Sequence, residues 1–274
     1  MQKSEQAGQA RQADRARQAG QAEQAQLQSY VRSLRRSAES LHRPDRPDVF
    51  VLDGREWDLL DGVFAPPFSA STGVAMELLA AERHAAGGAR SQGRQRSLLE
   101  IGCGTGVIAV TAALTGHDRV VASDISPQAA RNTALNAARH GVADRVRTLC
   151  GDLFAPLGEL GEDERFDTVY WHSNFVKAPE HYVYGSMHER AYVDAGYAAH
   201  RRYLAGAHDH LAPGGRVLLH FSDRGDVLGL RRTARECGRG LRVLRSLRVR
   251  EGQETVEHML LEVTAARAAL RPAA

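Results

Sequence analysis

The densest chemistry in this chain lies in Glu100-Ile-Gly-Cys-Gly-Thr-Gly106, which follows an apolar run. Glycines let a backbone turn sharply and let a ligand approach where a β-carbon would otherwise stand. The spacing of Gly102, Gly104 and Gly106 differs from the Gly-x-Gly-x-x-Gly of dinucleotide sites, so the loop alone does not say which nucleotide it holds. Asp124 ends the next apolar run and is followed by Ile125. A carboxylate there can accept both hydroxyls of a ribose. Asp152 and Leu153 follow the third run, placed to hold an adenine amino group. Each of these residues alone is equally a turn glycine or a helix-capping aspartate. Three in register, one after each of three successive strands, define one site.

The elements that must position these residues are legible from periodicity. Leu98 to Ile101, Arg119 to Ser123, Val146 to Leu149, Phe166 to Trp171 and Arg216 to Phe221 read as strands. Helices are predicted from Gly106 to about Thr115, from Pro127 to His140, from Arg190 to Leu211 as one long helix, and from Asp226 to Cys237. Strands alternating with helices imply parallel βαβ units with right-handed crossovers. Leu241 to Arg250 and Thr255 to Val263, meeting at Gly252, suit an antiparallel edge. The expected fold is α/β, a Rossmann-like seven-stranded sheet that is parallel with an antiparallel C-terminal edge, carrying an N-terminal helical extension or cap.

Three regions are expected. Residues 1–26 form a low-complexity tail of Gln, Ala, Arg and Glu with no apolar stripe, read as frayed and partly helical. Residues 27–96 form a cap. In it, Leu27, Tyr30, Val31, Leu34 and Leu41 begin an amphipathic helix that lies over the mouth of the site. Val49 to Leu59 forms a hairpin through Asp53-Gly54, and Ser69 to Thr72 caps a helix to about His84. Gly87 to Arg96 is a polar connection, and residues 97–265 are the catalytic domain.

Composition bounds the partners. The 274 residues are 43% hydrophobic and carry a formal charge of only +3, supplied almost wholly by arginine, since Lys3 and Lys177 are the only lysines. No arginine cluster is interleaved with aromatics as a base-stacking surface would be, so no nucleic-acid partner is expected. Three widely spaced cysteines make neither a disulfide framework nor a metal quartet, and no metal is expected. Without a membrane-length apolar run or a signal-like N-terminus, the chain reads as cytoplasmic with no membrane partner; a homodimer is allowed for.

Residues from about Phe64 to Phe221 resemble class I S-adenosylmethionine (SAM) dependent methyltransferases. Within them the closest pattern is the branch of release-factor glutamine and small-subunit rRNA guanine methyltransferases. The likeness rests on Leu98 to Ala109, Ala122 to Ala129, Asn132 to Asn136, Gly151 to Phe154, Phe166-Asp167 and Leu211 to Leu218, with Gly62 to Phe64 and Pro66-Pro67 echoing the preceding segment. The resemblance implies SAM as cofactor, Glu100 orienting its methionine amino end, Gly102 to Gly106 cradling it, Asp124 on the ribose and Asp152-Leu153 on adenine.

The departure lies after the fourth strand, where that branch has Asn-Pro-Pro-Tyr. Here the places hold His172-Ser173-Asn174-Phe175, or Asn174 takes the Asn place in a shifted alignment. The rigid amide-reading clamp is missing, so methylation of a glutamine amide or base amino group is not the expectation. His172 is a candidate general base titrating near working pH, or a donor to substrate. Asn174 and Phe175 sit beside it. Tyr192 and Tyr197 belong to an aromatic stretch (with Tyr182, Tyr184, His181 and His188) suited to a sulfonium cation. Ser222 ends the fifth strand beside the site.

The leading expectation is a SAM-dependent methyltransferase acting on a small-molecule acceptor of specialised metabolism. The alternative keeps SAM but breaks another bond. It is aminocarboxypropyl transfer, or cyclisation of SAM to azetidine-2-carboxylate and methylthioadenosine. A second alternative is a methyltransferase of a ribosomal or tRNA target.

Overall fold

The computed structural model describes residues 2–85, 96–161 and 163–265. The expected Gly87 to Arg96 connection lies almost wholly outside them. In chain order the elements are α1 (Gln2–His42), β1 (Val49–Leu52), β2 (Arg55–Asp58), α2 (Ser71–Ala85), β3 (Ser97–Ile101), α3 (Val107–Leu114), β4 (Arg119–Asp124), α4 (Pro127–Arg139), β5 (Val146–Cys150) and β6 (Phe166–His172). They continue with β7 (Val176–Ala178), β8 (Val193–Ala195), α5 (Ala198–Gly206), β9 (Leu211–Ser222), α6 (Val227–Glu236), β10 (Arg239–Glu251) and β11 (Glu254–Ala265).

Seven strands form one sheet in the order β10-β11-β9-β6-β3-β4-β5. β9, β6, β3, β4 and β5 run parallel, and β11 and β10 add the antiparallel edge. Strand order reverses between β3 and β6, the switch point at which open α/β sheets bind ligands. Alternation along the strands feeds two cores. Leu98, Val120, Ala122 and Tyr170 pack on one face with α2, α3 and α4. Leu99, Val121, Val169 and Trp171 pack on the other with residues of α5 and α6.

The hairpin is as expected, with Val49 opposite Asp58 and Leu52 opposite Arg55, and left-handed φ at both Asp53 and Gly54. Two fully buried asparagines on α4, one turn apart, hold it to that helix and to the glycine loop after β3. Asn136 Oδ1 accepts from Asp58 N–H at 2.7 Å, while its Nδ2 donates to the carbonyls of Thr105 at 2.8 Å and Asp58 at 3.0 Å. Asn132 accepts from Leu60 N–H and donates to Asp58 O, both at 2.8 Å.

Two expectations are corrected. Arg190 to Leu211 is not one helix. It is a 3₁₀ turn (His188–Ala191), then β8, α5 and a second 3₁₀ turn (Ala207–His210). Gly196 and Tyr197 are both left-handed, at φ 59° and 58°, which a right-handed helix cannot contain. Asp194 then accepts from Ala199 and His200 N–H at 3.1 and 2.9 Å and starts α5, while β8 pairs in parallel with β7.

The N-terminal helix likewise does not begin at Leu27 but runs on from Gln2, and its covered face takes in serines and only part of the apolar stripe. Leu27 and Val31 are 55% and 48% exposed, whereas Ser33, Ser37 and Ser40 are buried. Tyr30 and Leu34 do pack, against the small β7–β8 cluster.

Asn136→Ala strips Asp58 N–H and Thr105 C=O of buried partners, so the expected loss in urea unfolding is about 2–4 kcal/mol. An unchanged unfolding midpoint would show that the hairpin is held elsewhere.

Candidate functional site

A cavity of 1540 Å³ opens over the C-terminal ends of the parallel strands. The glycine loop after β3 forms its floor. Cys103 N–H donates to Ser123 O, fixing the loop to β4, and Gly104 N–H donates to Asp124 Oδ2 at 2.9 Å. Gly104 has φ +54° with no atom within 4 Å of where a Cβ would stand, so the ligand side of the loop is open. At Gly106, φ +80°, a Cβ would lie 2.8 Å from Thr133 of α4. That glycine is required by the close packing of loop on helix.

Asp124 sits deep in this floor. Its second oxygen accepts from Ser126 N–H at 2.9 Å, and burial raises its pKa against the lowering effect of these backbone bonds. Each oxygen keeps lone-pair capacity for a ribose hydroxyl. Glu100 is 1% exposed, on the cavity wall, and its Oε2 has no partner among the described residues. Burial pushes its carboxyl well above the usual carboxylate range, opposed by a hydrogen bond from the Ala109 backbone. An unpaired buried carboxyl is costly unless a cation or donor meets it. Ile125 and Leu153 line the same cavity, Leu153 with a left-handed φ of 51°. Asp152 also reaches the wall, but Arg202 holds both of its oxygens, at 2.8 and 3.0 Å. A nucleoside bearing a cationic arm fits this set. Asp124 could hold the ribose, Glu100 the amine and the Gly104 loop the arm between them.

Of the residues after β6, His172, Asn174 and Phe175 all line the cavity. Asn174 Nδ2 donates to the carbonyls of Arg190 and Val193, both at 2.8 Å. These acceptors fix the amide's orientation, because only the NH₂ end can serve two carbonyls. Oδ1 is therefore left as a buried acceptor with no partner among the described residues.

His172 does not titrate near working pH, as the sequence reading had it. Burial and the neighbouring His258 push its pKa down to about 3, so it is a neutral and weak base. Tyr192 is on the cavity wall, its ring 5.4 Å from Phe64. Tyr197 and Ser222 are not. Tyr197 is 1% exposed, its hydroxyl donating to Phe175 O at 2.8 Å and accepting from Asp226 N–H at 2.9 Å. Ser222 is fully buried within the sheet. Both hold the strand ends in place, and neither faces a ligand.

Sequence reasoning missed a buried chain beside His172. Register places His220 opposite His172 on β9, and His258 opposite Ser222 on β11. The His172 and His220 rings are 4.5 Å apart. His258 Nε2 meets Glu251 Oε1 at 2.9 Å, and His258 Nδ1 meets His220 Nε2 at 3.1 Å. Glu251 continues to Arg224 at 2.6 Å. A carboxylate only accepts, so His258 carries a proton on Nε2, and a single proton is shared between His258 Nδ1 and His220 Nε2. His220 Nδ1 has no partner among the described residues. Burial holds the His220 pKa well below the ordinary value, and the neighbouring His172 and His258 act in the same direction. Only strand register brings these residues together, so no local motif announces them.

Comparison with known proteins agrees with this geometry. Residues 98–215 match the family described as a methyltransferase domain. The release factor glutamine methyltransferase of Cereibacter sphaeroides is 34% identical over 133 residues, 46% of this chain and 46% of that protein. The ribosomal protein L11 methyltransferase of Pelotomaculum thermopropionicum is 49% identical over 57 residues, 21% of this chain and 18% of that protein. The chain thus spans less than half the length of these relatives. Among solved structures, a Streptococcus mutans protein provisionally assigned to the SAM-dependent methyltransferases superposes with a TM-score of 0.52 at 11% identity, covering 79% of this chain and 56% of that one, a likeness of fold. Residues 98–215 are thus a class I SAM-dependent methyltransferase domain, and SAM is the cofactor of that domain. Among the described residues no helix is long and apolar enough to cross a membrane.

Two outcomes follow. Because the Glu100 pKa is raised in the free protein, meeting a cation must lower it, releasing a proton and making SAM affinity rise with pH through the raised value. Calorimetry in buffers of different ionisation enthalpy should detect that proton, and Glu100→Gln should abolish most of it; no buffer dependence in the parent protein would place the cation elsewhere. In ¹⁵N spectra, His258 should carry a proton on Nε2, and Glu251→Ala should redistribute it between the two ring nitrogens. A bare His258 Nε2 in the parent protein contradicts the chain.

Proposed function

We propose that this protein transfers the methyl group of SAM to a nitrogen of a protein of the translation apparatus. The observation that carries the reading is Asn174 Oδ1, a buried, correctly oriented and unpartnered acceptor on the cavity wall after β6. An acceptor so placed can take an N–H of the incoming group and turn the nitrogen lone pair toward the reacting carbon. The sequence reading had discounted an amide because the Pro-Pro of the clamp is absent. The carbonyls of Arg190 and Val193 here supply the rigidity those prolines would give.

The expectation of a small-molecule acceptor in specialised metabolism is overturned. The relatives are named for ribosomal protein L11, for a release factor and for ribosomal protein uL3. Those names support a protein substrate here.

SAM supplies an activated methyl group, so the protein's own task is alignment and charge. Asp124 and Glu100 bind at the ribose and amine ends, Asn174 orients the acceptor nitrogen, and Trp171, Phe175 and Tyr192 exclude water from the wall near it. The neutral His172 side chain offers a lone pair or an N–H to the acceptor without adding positive charge beside a sulfonium.

The test is incubation of the pure protein with methyl-tritiated SAM and purified bacterial ribosomes or release factors. Label on a protein nitrogen and S-adenosylhomocysteine as co-product are expected. Label only on RNA, or methylthioadenosine as the product, would overturn the reading. With the true acceptor, Asn174→Ala should lower kcat roughly tenfold to a thousandfold, about 1.4–4 kcal/mol, with SAM affinity nearly unchanged. His172→Gln should leave the pH–rate profile the same shape above pH 6, because the imidazole is already neutral there.

A further inference from the structure

The cavity wall opposite the glycine loop carries an unbalanced charge. Arg36 of α1 and Arg224, just past β9, both line the cavity. Arg224 is 15% exposed, gives Nη1 to Glu251 at 2.6 Å, and lies 3.9 Å from Glu254. Its Nε is buried with no partner among the described residues. Arg32, one turn before Arg36, is met by Glu254 at 3.3 Å. Arg36 itself has one side-chain hydrogen bond, from Nη2 to Ser33 Oγ at 2.8 Å, and no carboxylate within 4.0 Å among the described residues.

Glu251 and Glu254 are near enough to attract Arg36, but the first is committed to His258 and Arg224 and the second to Arg32. In this corner three guanidiniums face two carboxylates. Burial and the neighbouring Arg224 accordingly lower the Arg36 pKa, against the raising effect of Glu251 and Glu254. A half-buried guanidinium with unused donors, on the same cavity wall as an arginine whose Nε–H is unpartnered, offers charge-assisted hydrogen bonds to an oxyanion.

We infer that Arg36 and Arg224 form a carboxylate-binding subsite for the acceptor, so that the methylated nitrogen lies close to an acidic side chain. This rests on the proposed function and narrows its substrate. Position assigns the subsite to the acceptor and not the cofactor. The cofactor loops follow β3, β4 and β5, whereas Arg224 follows β9, on the far side of β6. The surroundings select one carboxylate over a chain of phosphates. Glu39 and Glu77 also line the cavity, as do Glu251 and Glu254, and would repel a polyanion along its length.

The experiment uses the full chain saturated with S-adenosylhomocysteine, and as probes N-acetylglutamate N-methylamide and its isosteric glutamine counterpart, with binding followed by arginine Nε resonances. The acidic probe should bind roughly tenfold more tightly than the neutral one, as a charge-assisted bidentate contact implies. Arg36→Gln should abolish that preference and Arg36→Lys should keep part of it. S-adenosylhomocysteine affinity should change less than about twofold, since a group outside the cofactor site leaves its binding free energy nearly untouched.

Equal binding of the two probes overturns the subsite, as does a preference that survives Arg36→Gln. A fall in S-adenosylhomocysteine affinity in step with the probe also overturns it, by giving Arg36 to the methionine carboxylate. None of these readouts needs methyl transfer, so failure of the ribosomal labelling experiment is read separately.

Discussion

The geometry of the site depends on one buried amide. Asn136 joins the hairpin, through both backbone groups of Asp58, to the glycine loop, through the carbonyl of Thr105. It does so from α4, the helix whose Thr133 packs against Gly106. Every donor and acceptor of the Asn136 side chain is used inside the protein, where leaving any of them unmade would be costly. The loop that meets the cofactor is therefore held by an element 30 residues later in the chain, and the hairpin is fixed by the same contact.

Charge is distributed across the cavity in an ordered way. On the side of β3 and β4, Glu100 and Asp124 are carboxyls whose ionised forms are disfavoured by burial until a cation or hydroxyl arrives. On the side of β9 and α1, the excess is positive. Between them stand His172, His220 and His258, with the first two kept neutral by burial and a proton pattern set by Glu251. A sulfonium held near a ring cluster of this kind meets aromatic faces and the neutral imidazole of His172.

The N-terminal helix shows why hydrophobic periodicity is an incomplete guide to which face of a helix is covered. α1 lines the cavity through Ser33 and Ser40, and Ser37 is buried on the same face. Ser37 Oγ bonds His188 at 2.8 Å, and Ser29 Oγ donates to Arg224 O at 2.7 Å. Small hydroxyl side chains allow close approach and satisfy polar partners below. The leucines and valine at helical spacing that marked the helix in the sequence include Leu27 and Val31, which face outward.

The sequence by itself determined the parallel core, its antiparallel edge, the glycine loop and Asp124. These follow from local periods and from turn chemistry within a few residues, where φ requirements and side-chain alternation act directly on neighbours. It also placed His172, Asn174 and Phe175 at the strand end, though it did not say what each could do. Tertiary structure alone decided that Asn174 presents a bare carbonyl, that Tyr197 and Ser222 are structural, and that Arg190 to Leu211 breaks at Gly196 and Tyr197 to let β8 pair with β7. It alone assembled His220, His258, Glu251 and Arg224, and set Arg36 against them. Those outcomes depend on partners 7 to 188 residues apart brought together by strand register and helix docking, and the burial that perturbs their protons exists only once the cores have closed.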